Sequence, residues 1–251
     1  MPRFFIRQTQ VDGDRITLRG DDAHHVARSL RMALGDAVTV CDMQGNEYAC
    51  RINGFDDDRG VFLDVLSVKA AENEPPLRIR LFQALPKGDK LDTIIQKAVE
   101  CGVSEIIPFE SERCVVRVKP EAETRKTERR QRIAEEAAKQ CGRSLLPTVK
   151  ATVSFSEMMR LAADDELCLF CYEGDGTEAL GTVLKRELRG RTGISVIIGS
   201  EGGFSVTEAE RICESGALAV GLGKRILRTE TASGFVLACL VYASELDGND
   251  W

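Results

Sequence analysis

Two glycine-bearing segments in the second half of the chain carry residue types that suit the binding of a nucleoside or a phosphate. The first, GSEGGFSVTE, covers residues 199–208 and follows an apolar run. Ser205 with Glu208 fits a capping box, so we predict that a helix begins there. Glycines at the entrance to a helix expose backbone N–H and C=O groups at close range, as a phosphate or nucleoside requires. A tight turn that needs only positive φ explains the same glycines equally well.

The second segment, AVGLGKRILRTET at residues 219–231, also joins an apolar strand pattern to a helix pattern. Gly221 and Gly223 supply the first half of a G-x-G-x-x-G dinucleotide fingerprint. Ile226 occupies the place of the last glycine, and no ribose-binding acid follows, so that fingerprint is weak. Thr229 and Thr231 are of a type that often caps helices, which is a simpler role for at least one of them.

The elements around these segments predict that both meet at one edge of a sheet. After Pro76 the pattern alternates between strand and helix, which is typical of a largely parallel sheet with helices on its faces. Strands over LRIRLFQAL and ISVIIG belong to it, as does a closing helix from about Thr229 to Leu246. The carboxyl edge of such a sheet presents the ligand crevice, so the two glycine segments together can wall one pocket.

The first 70 residues have a different pattern. Short strand-like runs alternate with turns such as QGN and DDDRG, and one helix pattern runs from Asp21, a good N-cap, to about Gly35. This spacing predicts a small β-barrel, and AENEPP at 71–76 is a polar linker that ends in proline. We therefore predict two domains, residues 1–72 and 77–251.

Composition excludes several classes of protein. The chain has 251 residues, 43% of them hydrophobic, with no apolar run long enough for a membrane span and no signal-peptide core at MPRFFIRQTQ, so we expect a cytoplasmic protein. The nine cysteines lack the spacing of a disulfide framework. Cys168 and Cys171 form a C-x-x-C inside an apolar strand pattern, which indicates buried thiols and no metal site.

The net charge of −6 argues against nonspecific coating of nucleic acid. The stretch from Arg113 to Arg143 reverses this balance, with ten cations and five acids. A solvated helix face and an RNA-facing patch explain that stretch equally well.

The two glycine segments also resemble a known family. IGSEGGFS followed by LGKRILRTETA looks like the paired signature of the RsmE-type 16S ribosomal RNA uridine-N3 methyltransferases of the SPOUT superfamily. QALPKGDKLDTIIQKAVECGVSEIIPFESERCVV, EEAAKQCGRSLLP and the opening MPRFF read like the same family, so the resemblance covers essentially the whole chain. One departure is Ser200, which stands where the family usually has proline.

The resemblance implies both a fold and an activity. Residues 1–72 would form a PUA-like β-barrel that helps to hold RNA, and residues 77–251 an α/β domain with a deep trefoil knot. S-adenosylmethionine would bind in the knot loops, and the protein would be a homodimer without a metal. The implied reaction is methylation of N3 of a specific uridine in 16S ribosomal RNA of the small subunit.

The resemblance also implies which residues hold the cofactor. They lie in the two glycine segments: Gly199, Glu201, Gly202, Leu222, Gly223, Ile226, Leu227 and Arg228. Backbone N–H and C=O groups can form hydrogen bonds with the polar edge of an adenine, and apolar side chains can pack against its ring faces. The Glu201 carboxylate can attract a positively charged sulfonium or ammonium group. An acid complementing the dipole of the following helix is the alternative role for Glu201.

Transfer of a methyl group to uracil N3 requires loss of the imide proton. We expect Arg228 to stabilise the negative charge that builds on the base, with Glu230 as a weaker candidate for the proton acceptor. The predicted RNA contacts are cations of the barrel, its helix and the family motifs: Arg3, Arg7, Arg28, Arg31, Lys87 and Arg143.

The closing helix, TASGFVLACLVYASEL, is apolar nearly all the way round, so it must be buried on every side. A subunit interface or the centre of its own domain would achieve that. Two other functions remain open at this stage. A non-catalytic RNA-binding protein of ribosome assembly would not need cofactor loops, and a nucleotide-dependent oxidoreductase would use the glycines for a pyrophosphate.

Overall fold

The structure, a computed structural model, describes residues 1–56 and 60–246, so the predicted DDDRG turn lies partly outside the described residues. The chain divides into two compact units. Met1–Glu74 and Ala138–Leu146 form the first unit, and Pro75–Ala137 and Pro147–Trp251 form the second. The sequence did not predict that residues 138–146 belong with the first unit.

The first unit contains one curled sheet of six strands in the order β1-β4-β5-β6-β3-β2. The strands are β1 Arg3–Phe5, β2 Val11–Asp12, β3 Arg15–Leu18, β4 Ala37–Cys41, β5 Asn46–Phe55 and β6 Val61–Ala70. All neighbours are antiparallel except β1 and β4. Alternate residues of these strands form the core, among them Phe4, Ile16, Leu18, Val38, Val40, Ile52 and Leu63.

The predicted helix in this unit is shorter than the sequence pattern indicated. Helix α1, Gly20–His24, continues as a π-helical turn over His25–Ser29. Asp21 therefore lies in the first turn and is not the N-cap. The helix ends well before Gly35 because Arg31 takes a left-handed conformation with φ 51°, which turns the chain away from the helix axis.

The segment 138–146 is fixed to the first unit by buried charges. The Ser144 hydroxyl donates a hydrogen bond to the Glu47 carboxylate, and Arg3 Nη1 lies 2.7 Å from the same carboxylate. The guanidinium of Arg143 binds Glu74 at 2.6 Å. Burial raises the pKa of Glu47, but the hydrogen bonds from Ser144 and Arg3 outweigh it, and the pKa lies below its ordinary value.

The second unit contains a parallel sheet in the order β10-β8-β7-β13-β11-β14-β12, with β9 beside β8. The strands are β7 Arg78–Ala84, β8 Glu105–Glu110, β9 Thr148–Val149, β10 Val153–Ser154, β11 Leu167–Cys171, β12 Glu178–Ala179, β13 Gly193–Ile198 and β14 Leu218–Gly221. Every pairing between them is parallel. Strand β13 is buried along its whole length, as expected for a central strand that is covered on both faces.

The helices of this unit are α2 Lys90–Glu100, α3 Pro120–Cys141, α4 Phe155–Ala162, α5 Leu180–Glu187, α6 Val206–Glu214 and α7 Thr229–Val241, although the last turn of α3 belongs to the first unit. The capping box predicted at Ser205 and Glu208 is present. Helix α7 begins at the predicted residue and continues as a π-helical turn over Tyr242–Leu246.

Cys168 and Cys171 lie three residues apart on strand β11. Side chains at that spacing point to opposite faces of a strand, so the two thiols do not converge on one ion. Among the described residues, no group of His, Cys, Asp and Glu side chains is arranged to hold a metal. Nor does any helix within residues 1–56 and 60–246 combine the length and apolar character that crossing a membrane requires.

The amino-terminal edge of the parallel sheet is held by the buried carboxylate of Asp165. Arg80 Nη1 donates to it at 3.1 Å, and Arg78 and the hydroxyl of Ser195 also donate to it. Its side chain has no exposed surface, and that of Arg80 is 7% exposed. These groups connect β7, β13 and the segment that leads into β11, so they help to fix the order of three central strands.

We expect Asp165→Asn to lower the free energy of unfolding by about 3 kcal/mol, because removing one partner of a buried ion pair leaves a desolvated charge behind. Glu105, 3.0 Å from Arg80, keeps the loss from being larger. Chemical denaturation measures the change. Glu157→Gln is the control, since it removes an exposed pair with Arg160 and should leave the denaturation midpoint unchanged. Equal midpoints for the two variants would contradict the prediction.

Candidate functional site

The carboxyl edge of the parallel sheet opens into a cavity of about 700 Å³ within the second unit. Its walls are the segment 199–204 after β13, the segment 221–229 after β14, and the residues that follow β11. The two glycine segments therefore wall one pocket, as their positions at strand ends predicted.

A buried hydrogen-bond network joins the two loops. The Gln83 side chain, which has no exposed surface, donates from Nε2 to Thr229 Oγ1 at 2.9 Å. The Thr229 hydroxyl in turn donates to the Gly199 carbonyl at 2.6 Å. Thr229 is thus the first residue of α7 and not its cap, which is Arg228. The network holds the end of β7 and both cavity loops in one arrangement.

Glycine is required at two points of this wall. A Cβ on Gly199 would lie 2.9 Å from the ring of Phe204, closer than real Cβ contacts come. Gly223 has φ 106°, a conformation that other residues rarely adopt, and the space beside its Cα is open. At these two positions the loops present backbone to the cavity without a side chain.

The Glu201 carboxylate at the cavity accepts hydrogen bonds from a lysine ammonium group and from a backbone N–H. Its carboxylate lies 2.7 Å from Lys90 Nζ and accepts from the Lys87 backbone N–H at 3.2 Å. Burial raises its pKa, but the hydrogen bond from Lys90 and those from backbone N–H groups have the larger combined effect, so the pKa lies below its ordinary value. Glu201 precedes the first turn of α6, and its partner is Lys90 rather than the helix dipole.

Lys90 also connects Glu201 to Glu230. Its Nζ lies 3.6 Å from Glu230 Oε2, and its hydrogen bond with Glu201 raises its own pKa. Lys90 therefore stands between the first glycine loop and the first turn of α7 as a protonated group.

All eight predicted cofactor residues line the cavity: Gly199, Glu201, Gly202, Leu222, Gly223, Ile226, Leu227 and Arg228. The predicted catalytic residue Arg228 is exposed on the wall, and Glu230, two residues further on, pairs with Lys90 of the wall. The side chain of Ile226 is 84% exposed. The structure thus brings the predicted cofactor and catalytic residues together.

The six predicted RNA-binding cations have different surroundings. Arg7, Arg28 and Arg31 are exposed in the first unit, and Lys87 is exposed in the second. Arg3 and Arg143 are the exceptions, because their side chains are 13% and 7% exposed and pair with Glu47 and Glu74. The guanidinium groups of Arg3 and Arg143 are thus engaged by acids of the protein, and RNA binding by these two residues stays a prediction.

Ion pairs also reduce the positive charge between Arg113 and Arg143. Arg129 pairs with Asp92, and Arg130 pairs with Glu123. Arg113 lines the cavity, and its guanidinium donates to the Gly202 carbonyl at 3.3 Å.

Sequence reasoning missed Gln83, Lys90, Arg113 and Tyr172 as members of the site or its support. Gln83, Arg113 and Tyr172 lie within three residues of the carboxyl end of a parallel strand, which is the signal that would have found them. Lys90 begins the helix that follows β7. Gln83 gave a further signal, since it is a polar residue in the apolar carboxyl-terminal half of β7.

The cavity offers polar groups that the chain itself does not satisfy. Among the described side chains, buried oxygens without a hydrogen-bond partner occur at Gln83 Oε1, Ser200 Oγ and Glu230 Oε2, all at or next to this cavity, and at Glu123 Oε2. Buried polar atoms are normally paired, so such a group at a cavity indicates a ligand. Apolar Leu222 and Leu227, exposed backbone and a nearby carboxylate suit a nucleoside that carries a charged tail.

Two protein-family models match the chain. Residues 73–241 match the RNA methyltransferase domain, and residues 18–65 match the RNA methyltransferase PUA domain. The first match covers the whole parallel sheet and the cavity. The second lies within the curled sheet.

Known relatives agree with the family models over nearly the full length. The ribosomal RNA small subunit methyltransferase E of Bacillus subtilis is 33% identical over 98% of each chain. A putative methyltransferase from Legionella pneumophila, solved with bound S-adenosylmethionine, is 30% identical with a TM-score of 0.85, covering 96% of this chain and 97% of that one. The ribosomal RNA small subunit methyltransferase E of Neisseria gonorrhoeae, solved with the same cofactor, is 30% identical with a TM-score of 0.82 and the same coverage.

Because the family models, the full-length relatives and the fold agree, this chain belongs to the RsmE-type family of ribosomal RNA small subunit methyltransferases.

Proposed function

We propose that this protein uses S-adenosylmethionine to methylate N3 of a uridine in 16S ribosomal RNA of the small subunit. The observation that carries the proposal is the cavity between the two glycine loops, which the buried Gln83–Thr229–Gly199 network holds together. The two similar structures with S-adenosylmethionine support the choice of cofactor. The family to which the chain belongs supports ribosomal RNA as the substrate.

The residues present fit this cofactor. Leu222 and Leu227 provide apolar surface for a purine, and the open backbone at Gly223 can hydrogen-bond its polar edge. The Glu201 carboxylate can balance the positive charge of a sulfonium or an ammonium group. Bound S-adenosylmethionine supplies a methyl group activated by the positive sulfur.

In this proposal, Arg228 and Glu230 act on the uracil base. The guanidinium of Arg228 is exposed at the cavity and can bind the base oxygens, on which charge accumulates as N3 loses its proton. Glu230 is the weaker candidate for the group that accepts that proton, and its Oε2 makes no hydrogen bond among the described residues. Lys90, 3.6 Å from the same oxygen, holds the carboxylate at the cavity edge.

In this proposal the two predicted domains have different roles. Residues 1–72 act as a PUA-like barrel that binds RNA through Arg7, Arg28 and Arg31, and residues 77–251 act as the SPOUT methyltransferase domain. Strand β14 lies next to the edge strand β12, and the helix that follows it, α7, returns to pack on α2 and β13. This path of the chain supports the trefoil knot of that fold. A cytoplasmic location stays a prediction.

A homodimer is part of the proposal. One stripe of α7 and the turn that follows it is apolar and exposed in the single chain: Phe235 is 40%, Tyr242 57% and Leu246 68% exposed. The opposite side of the helix, including Val236 and Leu240, is buried. A second copy of the stripe provides the covering that an all-apolar helix needs.

We expect the wild-type protein to transfer labelled methyl groups to small subunits from a methylation-deficient strain, with 3-methyluridine as the labelled nucleoside. Arg228→Ala should lower kcat by a factor of at least about 100, because a donor that stabilises the developing negative charge is lost. Turnover assays followed by nucleoside analysis measure both outcomes.

Arg189→Ala, which removes an exposed arginine outside the cavity, is the matched control and should retain full activity. Wild-type turnover in Arg228→Ala would exclude Arg228 from the mechanism. Absence of S-adenosylmethionine binding in the wild type would favour a non-catalytic RNA-binding role.

The double variant Arg28→Glu/Arg31→Glu should bind substrate RNA more weakly, because both cations are exposed and can neutralise phosphates. The slope of log affinity against log salt should become shallower by about 2, and filter binding across a salt series measures it. Arg189→Glu is the control for charge reversal elsewhere. An unchanged slope in the double variant would place the RNA contact on another surface.

Sedimentation at micromolar concentration should show the wild type as a dimer of 27.6 kDa chains. Phe235→Glu/Tyr242→Glu should produce a monomer, because two charges cannot be buried between facing helices without partners. Phe62→Glu changes a comparably exposed apolar residue in the first unit and should leave the dimer intact. A monomeric wild type would exclude this arrangement.

A further inference from the structure

The hydroxyl of Ser200 is a buried polar group that the protein does not use. Ser200 begins the turn 200–203, which is closed by a hydrogen bond of 2.9 Å from the Gly203 N–H to the Ser200 carbonyl. The residue is 8% exposed and lines the cavity. Its Oγ has no hydrogen-bond partner among the described residues.

The other polar groups of this loop are already engaged. The Gly199 carbonyl accepts from Thr229, the Ser200 carbonyl accepts from Gly203, and the Glu201 carboxylate accepts from Lys90. Leaving a hydroxyl buried without a partner is unfavourable, and folded proteins rarely do so unless a ligand completes the bond. The Ser200 hydroxyl is therefore a side-chain group of this loop that is available to a ligand.

We propose that Ser200 Oγ forms a hydrogen bond to a polar atom of bound S-adenosylmethionine. The inference rests on the proposed function, and it adds a neutral side-chain contact to the backbone, apolar and charged groups of the wall. A hydroxyl can donate or accept, so it can pair with a ring nitrogen, a ribose hydroxyl or the amino-acid end of the cofactor. A proline here, which the family pattern leads one to expect, has no such group.

The test is Ser200→Ala, with cofactor affinity measured by isothermal titration calorimetry on the full chain. Loss of one neutral hydrogen bond should weaken S-adenosylmethionine binding about fivefold. The melting temperature without cofactor should stay the same or rise by about 2 °C, because an unpaired buried hydroxyl is removed. If Ser200 contacts the ligand, the variant binds the cofactor more weakly and its melting temperature without cofactor does not fall. If the hydroxyl is structural, the cofactor-free variant melts at a lower temperature.

Ser215→Ala is the matched control. The Ser215 hydroxyl donates to the Ile212 carbonyl at 2.7 Å at the end of α6, and Ser215 does not line the cavity. This variant should melt at a lower temperature and bind the cofactor as the wild type does. Wild-type affinity in Ser200→Ala, or a fall in its melting temperature as large as that of Ser215→Ala, would overturn the proposal.

A second titration with 5′-methylthioadenosine locates the contact. An equal loss for both ligands in Ser200→Ala assigns the hydrogen bond to the nucleoside half, and a loss confined to S-adenosylmethionine assigns it to the amino-acid half. No loss with either ligand overturns the inference. Failure of the wild type itself to bind S-adenosylmethionine would instead overturn the proposed function, so the two failures are distinguishable.

Discussion

The site depends on one buried amide. The Gln83 side chain lies inside the central strand β7 with no access to water, and its Nε2 donates both to Thr229 Oγ1 and to the Ala84 carbonyl. A polar group in such a place is unfavourable unless it is paired, so the loop ends that pair with it are selected strongly over other conformations. Gln83 thereby helps to hold together two loops whose joined residues, Gly199 and Thr229, are 30 positions apart in the chain.

Some cations of this acidic chain are paired with acids inside the protein, and others are exposed at the cavity. Several cations that sequence alone offered for RNA are neutralised internally: Arg3 by Glu47, Arg143 by Glu74 and Arg130 by Glu123. Exposed cations remain on the cavity wall, where Lys224, Arg225 and Arg228 follow Gly223. These cations give the cavity wall a local positive field, favourable to a polyanion, that the net charge of −6 does not reveal.

The sequence was sufficient to predict features that depend on residues close together in the chain. The alternation of strand and helix, the capping box at Ser205 and the two glycine loops follow from spacing and residue type, and all are present in the structure. Contacts between distant segments were not predictable in this way. Lys90 bridges two acids more than 100 residues further along the chain, and Ser144 donates to Glu47, because only the folded chain brings these partners together.

The inclusion of residues 138–146 in the first unit has a consequence for how the protein can be divided. The backbone leaves this unit after Glu74, re-enters at Ala138 and leaves again after Leu146. A gene fragment that encodes only residues 1–74 would lack Arg143 and Ser144, and the acids Glu74 and Glu47 would lose the donors that bind them. The first unit is therefore not a detachable module, and recombination or truncation that moves it to another protein must carry a stretch of the methyltransferase half with it.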